Sequence, residues 1–264
     1  MTGHTLTATY PLAGWSVPAS TVSAGSYLVH FARTEAELDR VLRLRRDVYQ
    51  LELGITTGSA AAEANELDQR CHHLMVEERE TGNVVGAYRM QTVEMAADAG
   101  FASAGLFDLS GLPRSLQARA VEVGRACIAK GHRGGRVPGL LWRGVGSYLA
   151  RNRKSAVLWN CEVPLRDESL AAAIHRGLEG AGAGHPEIRI SPYPHTACSG
   201  PIQTSSASDP IPSSPPEAFQ ACLRLGAKLL GPPAVDRSFG TINWLMLLDL
   251  GPPDQPPDRS VSRS

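Results

Sequence analysis

Two charged residues, Glu122 and Arg125, interrupt an otherwise apolar run in Ala120-Val-Glu-Val-Gly-Arg-Ala-Cys-Ile128. A carboxylate in such a run is a candidate general base, and a guanidinium can grip a carboxylate through two parallel hydrogen bonds. Three positions apart, the two side chains face opposite sides of a regular strand. Gly124 between them marks a candidate β-bulge, a device that re-aims side chains and is common beside active sites. A second reading stays open, in which Glu122 makes a buried ion pair with the first helix or with Arg89 on a neighbouring strand.

Other positions carry chemistry of their own. Stepping i, i+3, i+4 from Leu38 gives Val41, Leu42, Arg45, Val48, Tyr49 and Glu52, which puts two charges on an apolar helix face. Such charges are costly unless paired or set in a cleft. An internal Arg45/Glu52 pair, a snorkelling Arg45 and a charged cleft all fit. The turn Lys130-Gly-His-Arg133-Gly134-Gly135-Arg136-Val-Pro138 feeds a helix, offering backbone N–H groups and a positive dipole end to an anion such as a phosphate. From Lys130 to Lys154 there are seven Lys/Arg and no Asp or Glu. That run fits a solvated face or a surface for an acidic protein. His72 and His73 after Cys71 are adjacent, so on a strand they point opposite ways, and no metal site is expected.

These residues need elements to hold them. Tyr27–Phe31 reads as a strand, and Thr34-Glu-Ala-Glu37 has the capping-box spacing that opens the first helix. His73–Glu77 and Val84–Met90 flank Thr81-Gly82-Asn83 as an antiparallel hairpin. Ala120–Ile128 is a third strand, followed by a helix beginning at Pro138. A strand at Ser155–Cys161, a helix near Asp167–Leu178 and a short strand at Ile188–Ile190 come next. Pro216–Leu230 reads as a helix stopped by Gly231, and Thr241–Leu248 as a last strand. The class is α/β, a mixed sheet covered by helices. Residues 1–25 read as a loose leader, 26–250 as one domain with a mobile Ser/Thr/Pro-rich loop at 196–215, and 251–264 as a proline-rich disordered tail.

Composition narrows the function. The chain has 264 residues, 26 Lys+Arg against 26 Asp+Glu and 42% apolar residues, enough for one sizeable core and neutral as a whole. Neutrality argues against a nucleic-acid binder, and no stretch approaches the ~18 apolar residues of a membrane span. Five scattered cysteines without a C-x-x-C, and no secretory signal, fit a reduced cytoplasm. Peripheral contact with the inner face of a membrane is compatible with this composition. Neutrality is a sum of opposed regions: residues 35–80 hold eleven Asp/Glu against six Lys/Arg.

Asn65-Glu-Leu-Asp68, His73-Leu-Met-Val76, Thr81-Gly-Asn-Val-Val-Gly-Ala-Tyr-Arg-Met90, Val121-Glu-Val-Gly-Arg125, His132-Arg-Gly134, Leu140-Leu-Trp142, Leu223-Arg-Leu-Gly-Ala227 and Ala234-Val-Asp236 carry a resemblance. In that order they resemble the ornithine-acyl-carrier-protein N-acyltransferases. That family is GNAT-like, near the N-acyl amino acid synthases and more distantly the acyl-homoserine-lactone synthases. The likeness runs from about Tyr27 to Leu248.

The resemblance implies a GNAT-like acyl-CoA N-acyltransferase fold, with a mostly antiparallel sheet flanked by helices. It implies transfer of an acyl group, often 3-hydroxylated, from the phosphopantetheine thioester of acyl carrier protein to the α-amino group of ornithine. No bound cofactor is implied. The family's Glu-x-x-Arg falls on Glu122 and Arg125, and its first-helix arginine is most like Arg45. Glu122 is then the base, directly or through a water, with backbone N–H groups near Arg125–Cys127 for the oxyanion. Arg125, Arg45 and Arg89 compete for the acceptor carboxylate, Asp68 meets a cationic end, and His175 stands where many such enzymes have an acid for the leaving thiolate. Arg136 and Pro138 replace small residues of a pyrophosphate turn. Arg133, Gly134, Gly135 and Arg136 are thereby left to meet the single phosphate of a carrier-protein arm. Gln69, Arg70 and Gln220 also depart from the family, which keeps another amino-acid acceptor open, as does a non-catalytic carrier-binding module.

Overall fold

The computed structural model describes residues 17–18, 21–52, 66–96, 99–164, 168–198 and 217–252. The first strands are β1 (Val22–Ala24) and β2 (Tyr27–Phe31), followed by α1 (Glu35–Arg46) and a π-helical turn, Asp47–Glu52. Then come α2 (Glu66–Arg70), β3 (His72–Glu78), β4 (Val84–Thr92), α3 (Val93–Ala96), β5 (Phe107–Asp108), α4 (Arg114–Arg119), β6 (Ala120–Ile128) and α5 (Val137–Asn152). The remainder is β7 (Ala156–Pro164), α6 (Glu168–Gly180), β8 (Ser191–Pro192), α7 (Glu217–Arg224), β9 (Lys228–Leu229), β10 (Ala234–Asp236) and β11 (Thr241–Asp249). Contacts divide the chain into two compact units, residues 1–98 with 123–153 and residues 99–122 with 154–264.

In the first unit the strand order is β1-β2-β3-β4-β6, antiparallel from β1 to β4. Thr34 caps α1 as its spacing predicts: its hydroxyl accepts from Glu37 N–H, while the Glu37 carboxylate accepts from Thr34 N–H. A cap of this kind is worth about 1 kcal/mol. The buried face of α1, with Leu38, Val41, Leu42 and Leu44, packs on Met75 and Ala87. Helix α5 takes the other face of the sheet. A Cβ on Gly144 would stand 2.6 Å from Leu74 Cδ1, and one on Gly86 2.6 Å from Val137 Cγ1, so glycine is what permits this approach. Since side chains alternate along a strand, Leu74 and Gly86 turn to α5, while Met75, His73 and Arg89 turn to α1.

In the second unit, Ala120–Glu122 of β6 pairs in parallel with Ala156–Leu158 of β7. β7 pairs antiparallel with β11 over its whole length, and β11 also takes β10 and β9. Phe219 of α7 stands edge-on to buried Trp244, ring centroids 5.3 Å apart. Arg119 grips Asp249 with both terminal nitrogens at 2.5 Å.

Several expectations need correction. Val22–Ala24, inside the expected leader, is a strand on β2. Ile188–Ile190 is not a strand: Ile190 N–H donates once, to Leu230 O, and pairing begins at Ser191 against β5. Helix α7 ends at Arg224, because Gly226 turns left-handed at φ +90° and the chain leaves as β9. The loop expected at 196–215 begins anchored: Thr196 is buried, its hydroxyl donates to Leu106 O, and its carbonyl accepts from Val235 N–H. The rest of that loop, the first part of the leader, the polar stretch 56–65 and the tail beyond residue 252 lie outside the described residues.

Candidate active site

The first unit buries a charged cluster on the α1 side of its sheet. Arg45 is 1% exposed, Asp68 0%, His73 0% and Arg89 7%. Arg45 comes from the apolar face of α1, Asp68 from the short helix α2, and His73 and Arg89 are directly paired across β3 and β4. Asp68 Oδ2 accepts from an Arg45 terminal nitrogen at 2.9 Å, and Oδ1 from one of Arg89 at 3.2 Å. Arg45 therefore pairs with Asp68, while the alternative Arg45/Glu52 pair ends on a side chain outside the described residues.

Burial alone would raise the Asp68 pKa, but the two guanidiniums more than reverse it and hold the carboxyl well below the usual range. His73 is pushed the other way from an exposed histidine: burial, with Arg45 and Arg89 nearby, lowers it to about 3 despite Asp68. A neutral ring facing the Asp68 carbonyl at 3.1 Å must donate from Nε2, since a carbonyl only accepts. Among the described residues the cluster then holds two guanidiniums, one carboxylate and a neutral imidazole. The Arg45 Nε–H is buried with no hydrogen-bond acceptor among the described residues. This arrangement suits an anion. It also revises the expected role of Asp68, whose buried oxygens hold arginines instead of facing a cationic acceptor.

His72, adjacent in sequence, turns to α5, where its Nδ1 lies 2.9 Å from the Tyr148 hydroxyl. The two histidines thus serve opposite faces of the sheet, as their adjacency requires.

Glu122 is 6% exposed and lies in the second unit. Its carboxylate accepts from Ala102 N–H at 2.5 Å and Ser103 N–H at 2.8 Å, at the head of a short 3-10 turn, Ala102–Gly105. Two backbone donors stabilise its anionic form. They are partners that no side-chain pattern announces. Three residues on, the backbone breaks at Arg125, not at Gly124: Arg125 sits left-handed at φ 51°. A non-glycine residue there costs on the order of 1 kcal/mol or more, and such strain gathers at functional sites. The Ala126 carbonyl nearby accepts from the Tyr49 hydroxyl at 3.3 Å.

Arg133, Gly134, Gly135 and Arg136 are all exposed at the head of α5. Neither glycine is left-handed and neither touches a neighbour closely. Nothing in the local fold requires glycine here, whereas bare backbone is what an approaching anion requires. No side chain caps this helix N-terminus, and Arg133 Nε donates back to Ile128 O at 2.9 Å. His175, on α6 of the second unit, is half-buried, and burial lowers its pKa.

Residues 44–143 match the family model described as Acetyltransferase (GNAT) domain. The fold is GNAT-like, a mixed and mostly antiparallel sheet flanked by helices. The matched span holds Arg45, Asp68, Arg89, Glu122, Arg125 and the Arg133–Arg136 turn. Beyond the matched span, similarity runs along most of the chain. An L-ornithine N(alpha)-acyltransferase of Agrobacterium fabrum (strain C58) is 27% identical over 239 residues, 85% of this chain and 81% of that protein. One of Rhodobacter capsulatus is 28% identical over 85% of this chain and 90% of its own. Among solved structures, a GCN5-related N-acetyltransferase from Kribbella flavida aligns at TM-score 0.42 and 13% identity, covering 86% of this chain and all of that one. No helix among the described residues is long and apolar enough to cross a membrane.

Proposed function

We propose that the protein is an acyltransferase that moves a (3-hydroxy)acyl group from acyl carrier protein to the α-amino group of L-ornithine, the first step of ornithine-lipid synthesis. The observation that carries this reading is the similarity, over 85% of the chain, to proteins named L-ornithine N(alpha)-acyltransferase. The reaction is aminolysis of a thioester: the ammonium loses a proton, the amine attacks the carbonyl, and a thiolate leaves and is protonated. Glu122 takes the proton, directly or through a water. Backbone N–H groups near Arg125–Cys127 face the developing oxyanion.

Arg45 and Arg89 hold the acceptor's carboxylate, with Arg125 as the third guanidinium, and Asp68 positions the first two. The donor is phosphopantetheine-linked, with no other cofactor. Its phosphate meets Arg133, Arg136 and the bare backbone of Gly134 and Gly135. The exposed cations of this face, from Lys130 through Arg143 to Arg153, suit an acidic carrier protein. The burial of Asp68 between two arginines favours a second reading of the acceptor, an amino acid without a cationic side chain. Purified protein with 3-hydroxyacyl carrier protein and an equimolar mixture of amino acids separates these outcomes by product mass. N-acylornithine as the main product supports the first reading, another N-acyl amino acid the second, and no product from carrier protein or coenzyme A removes both.

A further inference from the structure

We infer that the first unit has a binding site for a single-chain amphiphile with an anionic head group, on the α5 side of the sheet and away from the buried arginine cluster. A cavity of about 160 Å³ lies between β1, β2 and α5, walled by Val22, Val29, Phe31, Leu74 and Leu140, with Arg143 on its rim. The volume matches the apolar cavities of roughly 150 Å³ that stay dry and take up benzene. Its five apolar wall residues suit the end of a hydrocarbon chain.

The charge around it selects the head. Arg143 is exposed and makes no ion pair among the described residues. Arg136, two helical turns earlier on the same face of α5, lies over the β1–β2 turn, where a Cβ on Gly25 would be 3.1 Å from its guanidinium. His30 borders the cavity from β2, but its ring turns to the α1 face with its cross-strand partner Met75 and there faces Glu77 at 3.4 Å and Glu37 at 4.0 Å. Glu77 is already paired with Arg40 at 2.6 Å, and Glu37 caps α1. The arginines of α5 are left as the uncompensated charge beside the opening. An anion without a chain would meet only solvated arginines, an interaction worth little. A chain ending in a carboxylate uses both halves of the site, and fatty acids and N-acyl amino acids share that chemistry.

Calorimetric titration of the full chain with dodecanoate, below its micelle concentration, tests this. Neither acyl donor nor acceptor is present, so the result is independent of acyl transfer. Saturable one-site binding is expected, weakened about tenfold in Arg143→Glu and lost in Ser147→Trp. Ser147 is an exposed α5 residue lining the cavity, so a bulky replacement fills the space without entering the core. Both variants should melt with the wild type. Dodecyltrimethylammonium should bind more weakly than dodecanoate to the wild type, and the order should reverse in Arg143→Glu. N-dodecanoylglycine binding more tightly than dodecanoate names an N-acyl amino acid as the ligand, and the opposite order names a free fatty acid. Absence of dodecanoate binding, unchanged affinity in Ser147→Trp, or equal binding of the cationic amphiphile overturns the site.

Discussion

Because His73 is completely buried beside two guanidiniums, its imidazole stays neutral in the folded protein down to a pH of about 3, whereas in the unfolded chain it takes a proton near 6.5. Between those values the unfolded chain binds a proton that the folded one refuses, so stability falls as the pH falls through this window. One such proton costs about 1.4 kcal/mol per pH unit, and lowering the pH from about 7 to about 5 removes about 2 kcal/mol. Asp68 does not contribute there. Its folded pKa is depressed below an ordinary value of 3.8, so its stabilisation is lost only as the pH falls through and below that value. The perturbation is His73→Gln, which keeps an N–H donor for the Asp68 carbonyl and removes the titration. Urea unfolding of both proteins at several pH values gives the comparison. Whatever the variant's stability at neutral pH, its loss on going from about pH 7 to about pH 5 should be smaller by about 2 kcal/mol. Parallel curves would show that His73 protonates freely in the fold, and the neutral-imidazole account of the cluster would be wrong.

Asp68→Asn leaves two buried guanidiniums without their counter-charge and should destabilise the protein by about 3–5 kcal/mol, a drop in melting temperature of roughly 10 °C, read by thermal unfolding. Arg45→Lys keeps the charge and loses the planar fork, so KM for the acceptor should rise about tenfold while KM for the acyl donor stays put in steady-state kinetics. Glu122→Gln should lower kcat by ~10²–10⁴ and abolish the acidic limb of the pH–rate profile; a variant that keeps that limb excludes Glu122 as the base. Gly144→Ala, whose new methyl would overlap Leu74, should cost about 1–3 kcal/mol in urea unfolding.

Much of this architecture can be read from local signals. The capping box and the i, i+3, i+4 spacing announce α1, and the Thr81–Asn83 turn announces the β3–β4 hairpin. Arg45 on an apolar face announces a buried charge, but its partner lies 23 positions away on a five-residue helix with no periodicity to mark it. The two N–H donors that hold Glu122 carry no side-chain signature at all. Helix α7 reads too long because Leu223, Ala227 and Leu230 stand at i, i+4 and i+7. Leu225 nonetheless ends 55% exposed where Gly226 turns the chain. β1 escapes notice because three residues of mixed polarity are too few to show alternation. Arg125 shows the opposite failure: its type flags chemistry, while the backbone strain it bears is a property of a conformation and not of a residue type.

Strand β11 is the partner of β7, β9 and β10 alike, and it follows all three along the chain. During synthesis the first unit is finished once Arg153 has emerged. β7 follows directly, but the strand that will cover its edge comes roughly 80 residues later, about 4–16 seconds at ~5–20 residues per second. Through that interval the nascent chain displays an apolar edge, Val157, Leu158 and Trp159 among it, of the kind that recruits other strands. A chain terminated anywhere between α7 and β11 would keep that edge permanently, and its natural fate is aggregation.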